Sequence, residues 1–267
     1  MKITMLGTGH GTATECYNTC FALSENESEY FLIDAGGGVE ILRQLKYAKI
    51  NIENIKNIFI SHTHSDHILG AFWLVRVIAR KYFSEGYEKE HFIYGNDEVI
   101  NALRTIIDVL LPPRFIELAN RKIKLIKVKE GESIEVLNRK CTFFDIKSKD
   151  VKQFGFYIEL LSGKKFTFIG DESCQEETKK YVKDSEWLFA DAYKPYLKEN
   201  EKERKYRHST VGFTAELCQE QNVKNVILSH TLDNDLKNRK RLYTDVAKKY
   251  FKGNVFVPDD LETIDLK

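Results

Sequence analysis

The chain has 267 residues with 41 Lys and Arg against 40 Asp and Glu, a net charge of +1 and a pI near 7.6. That length buries a sizeable core in one large domain or two small ones, and the even balance gives no bulk attraction to nucleic acid or a membrane surface. No apolar run reaches spanning length, the first six residues lack the core of a secretion signal, and five scattered cysteines read as free thiols, so a reducing cytoplasm is expected. Residues 3–6 (ITML) read as a first strand. The loop after it, Gly7-Thr8-Gly9-His10-Gly11-Thr12, is glycine-rich but opens no helix, which excludes a dinucleotide fingerprint. His10 is expected to face solvent, the alternative being that it lines the mouth of a site. Residues 18–23 and 30–33 form a strand pair, Asp34-Ala35-Gly36-Gly37 follows directly, and a helix is expected at about 38–47, which Asp34 could cap.

The chemistry concentrates in the next stretch. Asn57-Ile58-Phe59-Ile60 reads as a buried strand, and residues 68–75 (ILGAFWLV) as a buried helix. Between them stand His62, His64, Asp66 and His67, metal-capable side chains on a strand-to-helix loop where ligands can converge. Imidazole and carboxylate hold zinc, iron and manganese. A helix cap accounts for Asp66 alone. His62-Thr63-His64-Ser65-Asp66-His67 resembles the signature of the metallo-β-lactamase fold hydrolases, and the likeness extends over nearly the whole chain. It implies one domain over residues 1–267 of α/β (α+β) class, a four-layer αββα sandwich with metals at one edge between its sheets. Leu6-Gly7-Thr8-Gly9 then resembles the turn that opens the ribonuclease Z-like branch, and Asp34 the carboxylate that braces the metal loop.

Residues 81–90 read as a charged surface loop, 91–95 as a strand with His91 at its edge, and 97–108 as a helix. Residues 111–115 (LPPRF) break that helix and are expected to run over the surface as a simple loop, the alternative being that Arg114 and Phe115 touch substrate. Alternation of period two then predicts strands at 123–128, 141–146, 154–160 and 165–169, the last leading into Gly170-Asp171. Residues 187–190 are a further strand, followed by a polar loop at 194–205 able to act as a lid. Arg207-His208-Ser209-Thr210 precedes a helix, and residues 225–229 form a strand that ends at His230. Residues 236–250 read as a basic amphipathic helix with solvated lysines, and 255–257 as a closing strand.

The resemblance assigns roles. In that family the G-D aspartate bridges two metals, the strand-end histidine is the last ligand, and the H-S-T histidine assists catalysis without binding metal. These fall on Asp171, His230 and His208. The expected constellation is His62, His64 and Asp171 for one divalent ion, with Asp66, His67, Asp171 and His230 for a second, zinc first and manganese or iron as alternatives. Asp66 would orient a metal-bound hydroxide, and His208 would stabilise or protonate the leaving oxygen. The family's third histidine has no counterpart in residues 147–155 (KSKDVKQFG), leaving Asp145, Asp150 or water to complete a weakened first site, or a single-metal enzyme. His64, where the di-iron redox branch favours a carboxylate, argues against that branch. The family's tRNA-gripping arm is also missing from the segment before Asp171. A phosphodiesterase acting on a small or cyclic phosphodiester is therefore expected. The runner-up is a tRNA 3′-processing endonuclease with an RNA substrate; a thioester or lactone hydrolase and a non-catalytic sensor stand for other classes. A homodimer is expected from the resembling branch.

Overall fold

Apolar β-forming runs alternating with amphipathic stretches build the first of two units, residues 1–7, 17–128 and 260–267 of a computed structural model that describes residues 1–196 and 208–267. Its strands are β1 (Lys2–Gly7), β2 (Cys20–Ser24), β3 (Tyr30–Ile33), β4 (Ile55–Phe59), β5 (His91–Gly95), β6 (Ile123–Lys127) and, from the far end of the chain, β14 (Thr263–Asp265). They lie in the order β14-β1-β2-β3-β4-β5-β6. β3 to β6 run parallel, so Ile33 pairs with Phe59 and the two chains leave the sheet side by side. Helices α1 (Glu40–Tyr47), α2 (Ser65–Glu85), α3 (Asp97–Leu110) and α4 (Pro113–Lys122) set Leu45, Leu74, Ile78, Leu103 and Ala119 into one core with Leu32, Ile58 and Ile93.

Three expectations for this unit change. The 81–90 loop is shorter, because buried Tyr82 continues the apolar face of α2 until Gly86 ends it in the left-handed conformation. Residues 113–122 form α4, since proline is tolerated in the first turn and Phe115 and Ala119 bury one face. The Arg114 guanidinium lies over the Phe83 and Phe115 rings, 5.1 and 5.0 Å from their centroids. His91 is on an interior strand and fully buried, with Nδ1 donating to Ile55 O (2.7 Å) and Nε2 accepting from Tyr87 Oη (2.8 Å).

The second unit comprises residues 8–16 and 129–259. Its strands are β7 (Ser133–Val136), β8 (Arg139–Asp145), β9 (Phe154–Glu159), β10 (Lys165–Phe168), β11 (Trp187–Asp191), β12 (Asn225–Ser229) and β13 (Asn254–Phe256), ordered β13-β12-β11-β10-β9-β8-β7. β7 escapes the sequence pattern because half of its four side chains are exposed. β13 is not the last strand, since β14 follows it. β10 to β13 are parallel, which puts the C-terminal ends of β10, β11 and β12 at one edge of this sheet. Helices α5 (Lys179–Val182), α6 (Val211–Glu220) and α7 (Leu236–Ala247) complete the unit, with Ala215, Cys218, Tyr243 and Val246 packed against Leu188, Val226 and Leu228. Most of the expected lid at 194–205 lies outside the described residues. All five cysteines are free, and no helix among the described residues is long and apolar enough to cross a membrane.

Burial holds the His91 pKa below the ordinary histidine value, against the raising influence of its bond to Ile55 O. The unfolded chain then takes up this proton first, so the stability it carries is complete above about pH 6.5 and is lost as pH falls through the lower folded value. Denaturant titrations from pH 8 to 5 should show the loss, up to about 1.4 kcal/mol per pH unit from this group. His91→Gln should be less stable at pH 8 and have a shallower acid slope; an unchanged slope would assign the loss to other groups.

Candidate metal centre

In the first unit the site starts from the paired ends of β3 and β4. Asp34 follows Ile33 with φ 54°, a left-handed conformation that a non-glycine residue holds only when its surroundings fix it. They do. Its Oδ1 accepts from the Ser61 N–H (2.8 Å), and its two oxygens lie 3.0 and 2.8 Å from Ser61 Oγ. Oδ2 also accepts from His67 Nδ1 at 2.8 Å. Ser61 Oγ is 2.9 Å from His62 Nδ1, so the hydroxyl gives its proton to Asp34 and receives that of His62. Nδ1 of each ring is thereby the hydrogen-bond donor, which leaves Nε2 as the nitrogen able to face a metal. His62 Nε2 is 2.9 Å from His64 Nδ1, and His67 Nε2 is 3.2 Å from Asp66 Oδ2. His62, Asp66 and His67 are buried. The turn that carries Asp34 is pressed onto α2 by a glycine: Gly70 N–H donates to Gly36 O (2.9 Å), and a Cβ at Gly70 would stand 1.8 Å from Ala35 O.

In the second unit the three parallel strand ends deliver Asp171, Asp191 and His230, all buried. His230, like Asp34, has a left-handed backbone, with φ 57°. Its Nε2 is 3.5 Å from Asp171 Oδ2, and its Nδ1 is 3.6 Å from Asp191 Oδ1. His208 stacks on His230 with centroids 4.7 Å apart, and its Nδ1 lies 2.8 Å from Asp171 O and 3.2 Å from Asp191 Oδ2. Metal-capable atoms of Asp171, His208 and His230 all lie within 4.8 Å of one another. Burial works against a charged His208, yet the hydrogen bond and charge of Asp191 prevail and hold its pKa above the ordinary value.

Asp191 and Tyr193 are what sequence reasoning missed. Asp191 also takes the Ser209 N–H (2.7 Å), so it fixes the loop before α6 as well as His208. Its signal was a carboxylate ending an apolar strand, the same pattern as Gly170-Asp171. Tyr193 packs its ring 5.1 Å from His208 and 5.3 Å from His10. His10 is not a solvent-facing residue: its side chain is 13% exposed, with Nε2 3.4 Å from Asp233 Oδ1. In the histidine-free segment, Asp145 is engaged by Lys147, through the backbone N–H (2.7 Å) and through Nζ (3.4 Å). Ser148 Oγ donates to buried Glu172 (2.7 Å). Oriented imidazole nitrogens and buried carboxylates are a donor set that suits zinc, manganese or iron.

The chain belongs to the Anti-Pycsar protein Apyc1 family, which it matches over residues 1–241. The ribonuclease Z of Methanococcus aeolicus is 38% identical over 109 residues, 41% of this chain and 32% of that protein, so that match spans about a third of the relative. The ribonuclease Z of Archaeoglobus fulgidus is 26% identical over 308 aligned residues, covering 97% of this chain and 95% of that one. Among solved structures, the metallo-β-lactamase fold protein YhfI from Bacillus subtilis superposes with a TM-score of 0.80 at 17% identity over 98% of each chain. The chain has the metallo-β-lactamase fold.

Asp34→Ala leaves the Ser61 N–H buried without its acceptor and both histidines without their orientation. Denaturant unfolding should show a loss of about 1–3 kcal/mol. Full stability in this variant would mean that Ser61 and His67 find other partners.

Proposed function

We propose that this chain is a two-metal phosphodiesterase acting on a small or cyclic phosphodiester, working as one hydrolase domain over residues 1–267. The observation that carries the reading is the pair of prearranged donor sets: His62 and His67 with Nε2 turned out by the Asp34–Ser61 relay, and Asp171, His208 and His230 gathered at one strand edge. The proposed ligands are His62, His64, Asp66, His67, Asp171 and His230, with zinc as the first candidate. Divalent ions held there would supply a nucleophile at neutral pH and neutralise charge developing on the phosphoryl oxygens.

The chain's own groups do the rest. Asp66 offers a buried carboxylate to orient the attacking water. His208, whose pKa the hydrogen bond and charge of Asp191 raise against burial, is offered as the donor to the departing oxygen. Asp191 holds His208 and the backbone of Ser209 together, so the proton donor has a fixed address.

The small substrate is supported by what the chain omits. β9 and β10 are joined by a tight turn, with Leu160 N–H donating to Lys164 O (2.8 Å), where a tRNA-gripping arm would need to emerge. The alignment with the Archaeoglobus relative runs to 308 positions against 267 residues here, so that protein carries segments this one lacks. The second reading, a tRNA 3′-processing endonuclease, draws on that same relative, which matches nearly end to end under the name ribonuclease Z. Five free cysteines favour the cytoplasm as its place of work, and a homodimer is the proposed assembly.

The test is elemental analysis of the purified protein together with turnover of bis(p-nitrophenyl) phosphate, 3′,5′-cyclic nucleotides and a tRNA precursor with a 3′ trailer. Near two equivalents of metal is expected, with cyclic diester cleaved in preference to the precursor. His64→Ala should reduce turnover by about 100-fold or more. Preferential cleavage of the precursor would install the second reading. Turnover of thioesters alone, or metal without any turnover, would sink the phosphodiesterase.

A further inference from the structure

The basic helix α7 holds one arginine that is not solvated. Arg239 is 2% exposed, and its guanidinium reaches three separate loops of the second unit. Nη1 donates to Thr8 Oγ1 (3.1 Å) and Thr231 Oγ1 (2.9 Å). Nη2 donates to Pro258 O (2.9 Å) and Asp259 Oδ1 (2.9 Å). Those loops follow β1, β12 and β13. The middle one begins with His230, whose φ of 57° immediately precedes the clamped Thr231.

We infer that Arg239 is the positioning residue for His230, a clamp that holds the strand-end loop in the conformation aiming the imidazole at Asp171; this rests on the reading of His230 as a metal ligand. A histidine in the left-handed region relaxes unless the next residue is pinned. Thr231 is pinned on both faces: its N–H donates to Thr8 O (3.0 Å), its carbonyl accepts from the His10 N–H (3.2 Å), and its hydroxyl sits on the guanidinium. Because Arg239 binds Thr8 as well, the loops carrying His10 and His230 are fastened to each other rather than each to its own strand. The planar fork is needed for this. An ammonium on a lysine stem cannot serve two hydroxyls on one side and a carbonyl and a carboxylate on the other.

The experiment compares full-length Arg239→Met, Arg239→Lys and Thr231→Val with Val246→Ala, a buried change in the same helix that leaves the clamp in place. Two readouts are taken: amide hydrogen exchange at Thr231 relative to Leu188 in β11, and Zn2+ affinity by competition with a colorimetric chelator. Arg239→Met should speed Thr231 exchange about tenfold or more over Leu188 and weaken Zn2+ binding about tenfold or more. Arg239→Lys should follow it. Thr231→Val, which keeps the arginine and serves if Arg239→Met fails to fold, should weaken Zn2+ binding in the same direction, and Val246→Ala should change neither ratio. Thr231 exchange that moves only in step with Leu188 in Arg239→Met and Arg239→Lys overturns the clamp. Selective loosening at Thr231 in a wild-type background that binds no Zn2+ upholds the clamp and removes the metal reading of His230.

Discussion

The Asp34 carboxylate is the interaction on which the first unit's chemistry depends. A buried carboxylate is tolerated only when its lone pairs are filled, and here an amide, a hydroxyl and an imidazole fill them. The filling has a directional result. By taking the Nδ1 proton of His67, and that of His62 through Ser61, one side chain decides which nitrogen of each ring is left as a donor. The left-handed backbone at Asp34 and the close seat of Gly70 under Ala35 are the structural conditions for that placement.

The second unit solves the same problem by a different route. Three parallel strands end at one edge, and the residues just past their ends face a common point, as ligand-binding residues do in open parallel sheets. Asp191 at the middle strand bonds His208 and the Ser209 N–H and stands 3.6 Å from His230, which makes it the counterpart of Asp34. Each unit thus has a buried carboxylate that hydrogen-bonds a histidine ring and the backbone of a neighbouring loop. Both units also have a strained residue at the point where the chain leaves the sheet, and in both the strain is met by hydrogen bonds from neighbouring loops.

Much of this was legible in the sequence. His62, His64, Asp66 and His67 lie close together in the chain, and a switch from strand to helix periodicity places them on a loop without any knowledge of tertiary contacts. Asp171 and His230 each end an apolar run, but it was the family resemblance, and not that pattern, that singled them out. Asp191 ends such a run too, but its partners His208 and Ser209 come 17 and 18 residues later, and only folding brings them to it. Arg239 was hidden among Lys237, Lys240 and Arg241, where composition reads every cation as solvated. Helix α4 was masked by its two prolines, which signal a break but also suit a first turn. His91 was judged by the edge of its segment, whereas hydrogen-bonded strands on both sides enclose it.

The pairing of β14 with β1 has a bearing on how the chain acquires its shape. Ile3 faces Ile264 across that pair, so this contact closes a loop of most of the sequence. Closure entropy grows only slowly with loop length, but contacts this distant in sequence come late in folding and slow it. On a ribosome, β1 is made before the second unit and its outer neighbour after it. Until then β1 presents an edge of unpaired amides and carbonyls, a template for strands of other chains. That edge is covered only once residues 263–265 have followed the whole second unit off the ribosome.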